Sequence, residues 1–394
     1  MLSRAAGLSF LLLATALPWS IAPISIAVVL CGVLTVAEWW RPGGERWLPT
    51  PIDLPALAWL SALILATVFS LDPAQSAPRI KKAFLLATIP VAAFHARDAR
   101  LARAAVIALL VSAAVAAAYA LLRFAHEGGT FPVRVRGMVG HPLTYGGQAT
   151  LLASLAIALV VRGPGRRWTL AAGAFLLLLT PALLGTYTRS AWIATIVAGC
   201  VILARVKARL LPLAGAVVVL ALFLAPGSYR ERAFSVFQPR SIWNVERLLL
   251  WDAGLRMFRD HPITGVGLQD LHPLLERYRS RDAHEQHGHL HNVVIQVAAT
   301  MGIVGLAALV WLWIGLYRTA GQRWRAPLPR GDLDSALRLA AVAALSGFLV
   351  AGLFEWNLGD EELLAFLCFL VGMGYAAGRR AGSIGAWPAA PRSS

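Results

Sequence analysis

Charged residues are scarce in this chain of 394 residues. Asp, Glu, Lys and Arg together make up 14% of it, hydrophobic residues make up 58%, and the mean hydropathy is +0.65. A soluble domain of this length carries far more charge on its surface, so the composition excludes a soluble globular protein. It indicates a protein that crosses a membrane several times.

Cysteine and lysine are also rare. The three cysteines, Cys31, Cys200 and Cys368, each lie inside an apolar segment, which argues against a disulfide framework and favours packing as their role. The net charge is +16, and it comes almost entirely from arginine, because the chain has only three lysines. Since these charges lie in short loops between apolar segments, they indicate membrane topology rather than a nucleic acid partner.

Apolar segments long enough to cross a bilayer occur at twelve places in the chain. The sequence therefore predicts an all-α polytopic membrane protein with about 12 transmembrane helices. Spans one to nine occupy residues 1–225, spans ten to twelve occupy 292–380, and residues 381–394 form a disordered tail. The individual segments lie near residues 5–19, 21–39, 54–71, 82–96, 102–124, 144–162, 168–186, 190–205, 209–225, 292–317, 336–357 and 361–378.

Basic residues predict the orientation of these spans. If the N-terminus is cytoplasmic, every loop on the cytoplasmic side is basic, as the positive-inside rule requires. This orientation places both termini in the cytoplasm and residues 226–291 outside, as one large periplasmic loop. The cytoplasmic loops carry Arg41 and Arg46; Arg97, Arg100 and Arg103; Arg162, Arg166 and Arg167; Arg205, Lys207 and Arg209; Arg318, Arg323, Arg325 and Arg330; and Arg379 and Arg380.

The large loop contains one clear amphipathic helix, predicted near Asn244–Arg259. Arg247 points to the same side of this helix as Trp251 and Phe258. An arginine on a packed face needs an anionic partner, because burying its charge alone is costly. That partner is either an acid of the chain or a phosphate of a ligand, and both remain open. The predicted apolar face consists of Leu248, Trp251, Leu255 and Phe258.

Three histidines precede the tenth predicted span, in the stretch His287-Gly288-His289-Leu290-His291-Asn292. If a helix begins at Asn292, His291 lies at its N-terminal end, at a membrane–water boundary. The amide groups there disfavour an extra proton on the imidazole, which keeps it neutral and able to act as a base. The alternative is a metal cluster that includes His284 upstream, although no Cys, Asp or Glu lies between the last three histidines.

Small residues follow His291 at helical spacing. In a regular helix, Ala298, Gly302 and Gly305 fall within about 40° of the direction of His291. The spacing predicts a stripe on which another membrane helix packs closely, so that His291 sits on a fixed helix end.

Two polar residues mark the outside loop before the sixth span. Arg136 and His141 lie in a loop that is shaped by Gly137, Gly140 and Pro142. They are either substrate-binding residues that face into this turn, or interfacial residues that reach the lipid headgroups.

Arg189 is the single charge in the tight outside turn Tyr187–Trp192. A diphosphate needs a guanidinium fork in such a position. The aromatic neighbours Tyr187 and Trp192 equally suit a membrane-interface belt, in which Arg189 is only an anchor. Both interpretations remain open.

Charge is nearly absent from the interiors of the predicted spans, and Glu355 lies close to an outer end. A transporter is expected to carry ionisable residues near the middle of its spans. A lipid or polysaccharide transporter therefore remains only as the alternative from another functional class.

Together these stretches resemble the bacterial O-antigen ligase and O-antigen polymerase family of polytopic membrane glycosyltransferases. The strongest similarity covers Tyr187–Gly305. It rests on His291-Asn292 followed after nine residues by Gly302-x2-Gly305, on Tyr187-Thr188-Arg189-Ser190-Ala191-Trp192, on Arg136-Gly137 with His141-Pro142, and on Glu246-Arg247 with Trp251 and Asp260-His261-Pro262-Ile263-Thr264-Gly265-Val266-Gly267.

The resemblance implies glycan transfer at the outer face of the bacterial inner membrane, without a metal or another cofactor. The implied donor is a glycan on undecaprenyl diphosphate. The implied acceptor is a sugar hydroxyl of the lipid A core in a ligase, or the end of another lipid-linked glycan in a polymerase. O-antigen ligation is the first expectation and polymerisation of O-antigen or capsule the second.

The resemblance also implies roles for single residues. His291 is the base that takes the acceptor proton, and Arg189 and Arg247 hold the diphosphate. Because one base and no carboxylate nucleophile are present, a single inverting displacement is expected. The further substrate-binding residues are expected to be Arg136, His141, His289 and Asn292, of which Asn292 also caps the helix and orients His291.

Overall fold

The computed structural model describes residues 2–41, 49–238, 241–278, 288–321 and 326–382. Every regular element in these ranges is a helix, as the predicted fold class requires. The α-helices are α1 (Leu2–Ala16), α2 (Ile21–Trp40), α3 (Asp53–Val68), α4 (Pro73–Ser76), α5 (Thr88–Ala96), α6 (Ala99–His126), α7 (Pro142–Arg162), α8 (Arg166–Leu184), α9 (Arg189–Lys207), α10 (Leu211–Leu224), α11 (Gly227–Phe234), α12 (Ile242–Asp260), α13 (His272–Tyr278), α14 (Val293–Ala320), α15 (Leu333–Gly352) and α16 (Glu361–Arg380). Short 3-10 helices cover Ala77–Ala87, Ala208–Leu210, Ser235–Phe237 and Asn357–Gly359.

All twelve predicted apolar segments fall on helices, but not all of these helices are long enough to be spans. Among the described residues, eight stretches have the length and hydropathy to cross a membrane. Helices α1 and α3 have only 15 and 16 residues, and the segment near 82–96 divides into a 3-10 helix and α5. The chain is thus an all-helical, multi-pass membrane protein, and about 12 spans stays a prediction.

Helices α9 and α10 form a hairpin rather than one long rod. The backbone leaves the helical conformation at Lys207, with φ −161° and ψ 64°. Beyond α10, the ring of Tyr229 stacks on that of Tyr187 at 4.7 Å, just before α9 begins. A straight helix over Arg189–Leu224 would separate these rings by about 50 Å at 1.5 Å per residue, so α10 must run back along α9.

Polar contacts gather at the two ends of the helix bundle. At one end, called the site end below, Thr144 at the start of α7 contacts Asp360 beside α16, and His291 before α14 contacts Glu355 beyond α15. At the opposite end, the Asp332 amide donates to the Arg162 carbonyl at 2.9 Å. Helices α7, α14 and α16 therefore begin at the site end, and α15 ends there. The orientation of the bundle in the membrane stays a prediction.

Helix α14 is broken at Gly302, which has φ 62° and ψ −156°. Only glycine adopts this conformation without strain. The predicted stripe of small residues is therefore wrong beyond Ala298, because 100° per residue does not hold across Gly302. A side chain at Gly302 would also collide with the Ile263 carbonyl, so a loop rather than another membrane helix packs on this position.

The loop before α13 satisfies the hydrogen bonds that this break leaves open. The Val266 and Gly267 amides donate to the carbonyls of Ala299 and Thr300, at 2.9 and 3.1 Å. In the other direction, the amides of Ile303 and Val304 donate to the carbonyls of Pro262 and Ile263, at 2.8 and 3.3 Å. The segment 262–267 thus fixes the site-end half of α14 by backbone contacts.

Helix α12 has the predicted position but not the predicted packed face. Leu248 and Leu255, assigned to the apolar core face, are 55% and 43% exposed. The buried side chains are instead Glu246, Leu250, Ala253 and Met257. The helix carries two apolar faces, and hydrophobic periodicity alone does not distinguish the face that packs on protein from the face that points outward.

Parts of two predicted regions lie outside the described residues. Helices α11, α12 and α13 belong to the predicted loop 226–291, but residues 279–287, with His284 and His287, are not among those described. Residues 383–394 of the predicted tail also lie outside the described residues.

Replacing Gly302 with alanine is expected to destabilise the protein by about 2 kcal/mol or more, because alanine adds backbone strain and a collision with Ile263. Thermal unfolding of the purified protein in detergent measures this loss. Gly173→Ala is the matched control, since Gly173 lies in α8 with open space around it. Equal melting temperatures for Gly302→Ala and the wild type would contradict the proposed role of the break.

Candidate active site

His291 and Glu355 form a buried pair at the site end. The His291 Nδ1 atom lies 2.9 Å from Glu355 Oε2, and the two residues are each only 8% exposed. An ionised carboxylate only accepts hydrogen bonds, so Nδ1 must carry the proton of this contact. The Nε2 atom of His291 is then the nitrogen that is able to accept a proton.

Local backbone structure holds His291 in this position. Its φ is 49°, a left-handed conformation that is uncommon for a residue with a side chain. The next residue, Asn292, caps α14 as expected, since its Oδ1 accepts the Ile295 amide at 3.0 Å. The Asn292 Nδ2 group also donates to the Leu353 carbonyl at 2.9 Å, which ties the start of α14 to the segment that carries Glu355.

Arg247 is the second partner of Glu355. Its Nη2 group donates to Glu355 Oε1 at 2.5 Å. The anionic partner predicted for Arg247 is therefore an acid of the chain. Burial by itself would raise the pKa of Glu355, but the hydrogen bond from His291 and the charge of Arg247 hold that pKa below its ordinary value.

Arg189 is buried at the start of α9 and binds neutral groups. It is 8% exposed, and its guanidinium donates to Ser235 Oγ at 2.8 Å and to Asn244 Oδ1 at 3.0 Å. An interfacial anchor would extend its charge toward water, so the burial of Arg189 does not fit that interpretation. Its contacts join the Tyr187–Trp192 turn to the 3-10 helix after α11 and to α12.

Two further arginines, which the sequence analysis did not select, lie beside the turn that carries Arg189. Arg134 donates to the Thr186 carbonyl at 2.7 Å and to Thr188 Oγ1 at 2.9 Å. Arg232, on α11, donates to the Tyr187 carbonyl at 3.1 Å. Burial, together with the charges of Arg134 and Arg247, lowers the pKa of Arg232 to about 10. Burial lowers the pKa of Arg134 as well, against the opposing effect of Glu355.

Four guanidinium groups therefore interact electrostatically around one carboxylate. We call Arg134, Arg189, Arg232 and Arg247 the arginine cluster. Each lies close enough to others of the set for its charge to affect theirs. The charge of Glu355 acts on Arg134, Arg189 and Arg247, and the described hydrogen bonds of Arg134 and Arg189 go to neutral oxygens. Two guanidinium groups with neutral partners in a partly buried place favour an anionic ligand.

Arg136 lies in a separate ion-pair network. Its Nη2 group donates to Glu127 Oε1 at 2.7 Å, and Arg123 donates to the same oxygen at 2.9 Å. Of the two arginines in this loop, the structure brings Arg134 rather than Arg136 to the arginine cluster. The sequence does not distinguish Arg134 from Arg136, because both belong to the same loop and lie only two positions apart, with the buried Val135 between them.

His141 and His289 lie next to the pair on another side. The ring of His289 lies 4.2 Å from that of His291, between centroids. Both His141 and His289 line a cavity of about 640 Å³ that Glu355 also borders. Burial lowers the pKa of His141, and the charges of Arg134 and His291 act in the same direction against Glu355.

The described residues contain no group of three or more His, Cys, Asp and Glu side chains arranged to hold a metal ion. The alternative metal cluster of the sequence interpretation includes His284 and His287, which lie outside these residues. His289 and His291 are the two of its members that the structure describes.

A buried imidazole–carboxylate pair beside an arginine cluster, at one end of a bundle of apolar helices, defines a multi-pass membrane protein with a polar site suited to an anionic substrate. Residues 173–310 match the family model described as O-antigen ligase. This match over about a third of the chain supports membership in the O-antigen ligase family and, in general terms, glycan transfer with lipid-linked glycan substrates. No curated protein matches the chain.

The matched range contains Arg189, Arg247, His291 and Asn292. Glu355 and Arg134 lie outside it, on either side of residues 173–310. The sequence signal that was available for Glu355 was its position as an isolated acid at the end of an apolar run, where an ionisable residue is often functional.

Glu355→Gln is expected to lower the stability of the protein at pH 7 by about 3 kcal/mol, because it removes the charge that compensates the partly buried Arg247. The pKa of Glu355 is lower in the folded protein than its ordinary value of 4.5. Its contribution is therefore complete above that value and is lost as the pH falls through the folded pKa. Thermal unfolding from pH 7 to pH 3.5 should show the wild type and the variant converging below about pH 4.5.

Asp252→Asn is the control for this comparison. Asp252 pairs with Arg256 on the exposed side of α12, with both side chains about half exposed. Such a pair contributes less than about 1 kcal/mol. Equal losses in the two variants at pH 7, or a difference between wild type and Glu355→Gln that does not narrow as the pH falls below 4.5, would contradict a buried charge pair.

Proposed function

We propose that this protein transfers a glycan from undecaprenyl diphosphate to a sugar hydroxyl at the periplasmic face of the bacterial inner membrane. The proposed reaction is O-antigen ligation to the lipid A core. Both termini lie in the cytoplasm in this proposal, which follows the positive-inside distribution of arginine. Membership in the O-antigen ligase family supports glycan transfer in general, and the site supports the particular chemistry.

The observation that carries the proposal is the position of the His291–Glu355 pair beside the arginine cluster. The pair offers a base, and the cluster offers the guanidinium groups of Arg134 and Arg189, whose described hydrogen bonds go to neutral oxygens. Transfer from a lipid diphosphate needs both features. The attacking hydroxyl must lose a proton, and the departing diphosphate must be stabilised as its negative charge grows.

His291 acts as the base in the proposed step. The acceptor hydroxyl oxygen attacks the anomeric carbon of the donor glycan while Nε2 of His291 takes the hydroxyl proton. Glu355, bound at Nδ1, fixes the tautomer and stabilises the imidazolium that forms. A positioned base of this kind contributes roughly 10²–10⁴-fold to the rate.

The arginine cluster stabilises the leaving group. The bond between the anomeric carbon and the diphosphate oxygen breaks as the new bond forms, and undecaprenyl diphosphate leaves with the electron pair. Guanidinium groups bind phosphate oxygens in a bidentate way, so Arg189 and Arg134, whose described contacts are to neutral oxygens, are suited to this task. Arg247 balances both Glu355 and the diphosphate. One displacement inverts the anomeric configuration and requires no metal.

His291→Ala is expected to lower the rate of glycan transfer at least about 10²-fold while the protein still folds, because it removes the base. The assay offers the purified protein a lipid-linked glycan with and without lipid A core, in buffer with EDTA. Transfer to lipid A core supports ligation. Elongated lipid-linked glycan in the absence of the core supports the alternative, a polymerase.

His272→Ala is the control for the base. His272 is about half exposed and pairs with Asp270 rather than with Glu355. Transfer that continues at the wild-type rate in His291→Ala would remove His291 as the base. Activity that EDTA abolishes and a divalent ion restores would show that the reaction depends on a metal.

Arg189→Ala and Arg134→Ala are expected to raise the KM for the lipid-linked donor and to lower kcat, each about tenfold or more, because each removes a charged hydrogen bond to phosphate. Steady-state kinetics at varied donor concentration measures both parameters. Arg136→Ala is the matched control from the same loop as Arg134, since Arg136 is paired with Glu127. A larger effect from Arg136→Ala than from Arg134→Ala would reverse this assignment.

A further inference from the structure

The residue before the proposed base is fixed by hydrogen bonds on both sides. The Leu290 amide donates to Gln296 Oε1 at 2.8 Å, and the Leu290 carbonyl accepts from Trp251 Nε1 at 3.1 Å. The Leu290 side chain is fully buried and packs against Gly254, where even a Cβ atom would collide with it. These contacts hold the chain at the point where His291 takes its left-handed backbone conformation, which persists only when its surroundings enforce it.

Gln296 uses one end of its side-chain amide in this arrangement and leaves the other end open. The residue lies in the first turn of α14 and is 6% exposed. Because a backbone amide must meet an acceptor, the contact with Leu290 identifies which end of the Gln296 amide is the oxygen. The Nε2 group has no hydrogen-bond partner among the described residues, yet it is not closed off from solvent. Such a donor is expected to meet an acceptor from water or from a ligand.

The cavity next to Glu355 is the space to which this donor is open. Gln296 lines the cavity, and so do His289 and Glu355. The ring of His289 lies 4.2 Å from that of His291, between centroids, and Glu355 binds Nδ1 of His291. The cavity therefore adjoins the proposed base, and its volume of about 640 Å³ lies in the ordinary range for a small-molecule site.

The lining of this cavity is mixed in charge, so charge alone selects no ligand there. The charged residues that line it are Arg79, Lys81, Lys82, Asp360, Glu361 and Glu362. Gln296 differs from them because it is neutral, buried and fixed in orientation. A fixed neutral N–H group selects by position, and hydroxyl, ring and carbonyl oxygens of a sugar are all suitable acceptors for it.

The proposed reaction indicates which sugar meets this donor. The acceptor hydroxyl must reach His291 to lose its proton, so the acceptor sugar is the one that lies beside the base. None of the four members of the arginine cluster lines the cavity, so a diphosphate held by that cluster lies outside it. The sugar next to Gln296 is then the acceptor and not the lipid-linked donor.

We propose that Gln296 binds the acceptor sugar, with Nε2 donating to a sugar oxygen near the attacking hydroxyl while Oε1 holds the Leu290 amide. The inference rests on the proposed function, because it names a residue that meets one of the two substrates of that reaction. One side chain then places both partners of the proton transfer, the base through Leu290 and the hydroxyl through the sugar. Trp251, which binds only the Leu290 carbonyl, is a positioning residue for His291.

Gln296→Glu tests the contact with the sugar. The variant keeps an oxygen for the Leu290 amide and replaces only the Nε2 donor. The KM for lipid A core, purified from the host strain deleted for this gene, is expected to rise about fivefold or more, as for the loss of one neutral hydrogen bond. The KM for the lipid-linked donor is expected to change less than about twofold. Steady-state kinetics with each substrate varied in turn measures both values.

Gln296→Met and Trp251→Phe separate binding from positioning. Gln296→Met removes both contacts of the amide, so it is expected to raise the acceptor KM about fivefold and also to lower kcat. Trp251→Phe removes the hydrogen bond to the Leu290 carbonyl. Because Trp251 does not line the cavity, this variant is expected to lower kcat about threefold or more with an unchanged acceptor KM. The same pattern in both variants would contradict a sugar contact at Gln296.

Thr300→Val is the matched control on the same helix. Thr300 is 3% exposed, lies outside the cavity, and donates to the Gln296 carbonyl at 2.7 Å. Binding of lipid A core without donor gives a readout that does not need transfer. Weaker binding to Gln296→Glu than to Thr300→Val supports the contact, and equal binding overturns it, as does a donor KM that rises as much as the acceptor KM. If Gln296→Glu fails to fold, the same comparison with Gln296→Met decides.

The two proposals fail in different ways. A wild-type protein that binds lipid A core through Gln296 but transfers no glycan would contradict the proposed function and retain the sugar contact. A protein that transfers glycan with an unchanged acceptor KM in Gln296→Glu and Gln296→Met would contradict only the sugar contact. If the wild type elongates lipid-linked glycan instead, the same variants are compared with that glycan as the acceptor.

Discussion

The site depends on a single carboxylate that binds two partners. One oxygen of Glu355 contacts the imidazole of His291, and the other contacts the guanidinium of Arg247. A buried carboxylate stays ionised only when such partners compensate the loss of water. Glu355 therefore couples the proposed base to the proposed anion-binding residues, because a change in the charge of any one of the three alters the other two. The chain segment from α15 to α16 brings this carboxylate to residues that lie more than 60 positions earlier in the sequence.

The break in α14 explains how His291 is held against Glu355. A regular helix would present its amides and carbonyls only to itself, and the loop 262–267 would then lose its four backbone hydrogen bonds to α14. Gly302 opens the helix, and four hydrogen bonds to this loop close the gap. Since the same loop follows α12, the position of Arg247 and the start of α14 are joined through the backbone. The motif that spaces Gly302 from His291 thus has a structural role in the site, which differs from the helix-packing stripe expected from periodicity.

Some of this arrangement could be predicted from the sequence and some could not. Hydropathy predicted the all-helical class, the helix stop at Asp260-His261-Pro262 predicted the end of α12, and the position of Asn292 predicted the cap of α14. The packed face of α12 was predicted incorrectly, because Leu248 and Leu255 look no different in sequence from Leu250 and Met257. Periodicity also fails at Gly302, where a residue that is merely small in a helix pattern is needed for its backbone angles. The pairing of Arg247 with Glu355 depends on tertiary structure, so the sequence predicted that Arg247 needs an anionic partner but left open whether it is an acid of the chain or a phosphate.

The distribution of charge around Glu355 bears on the distinction between ligation and polymerisation. Ligation and polymerisation use the same kind of donor, so the base and the arginine cluster have the same roles in both reactions. The acceptors differ, since one is a core sugar on lipid A and the other is the end of a second glycan that itself carries a lipid diphosphate. A polymerase must therefore admit a second diphosphate near its acceptor side. The cavity beside Glu355 carries the acids Asp360, Glu361 and Glu362 together with the cations Arg79, Lys81 and Lys82, so its lining is mixed in charge. A mixed lining admits hydroxyl donors as well as phosphate oxygens, so the acceptor that the assay consumes, rather than the charge of this cavity, distinguishes ligation from polymerisation.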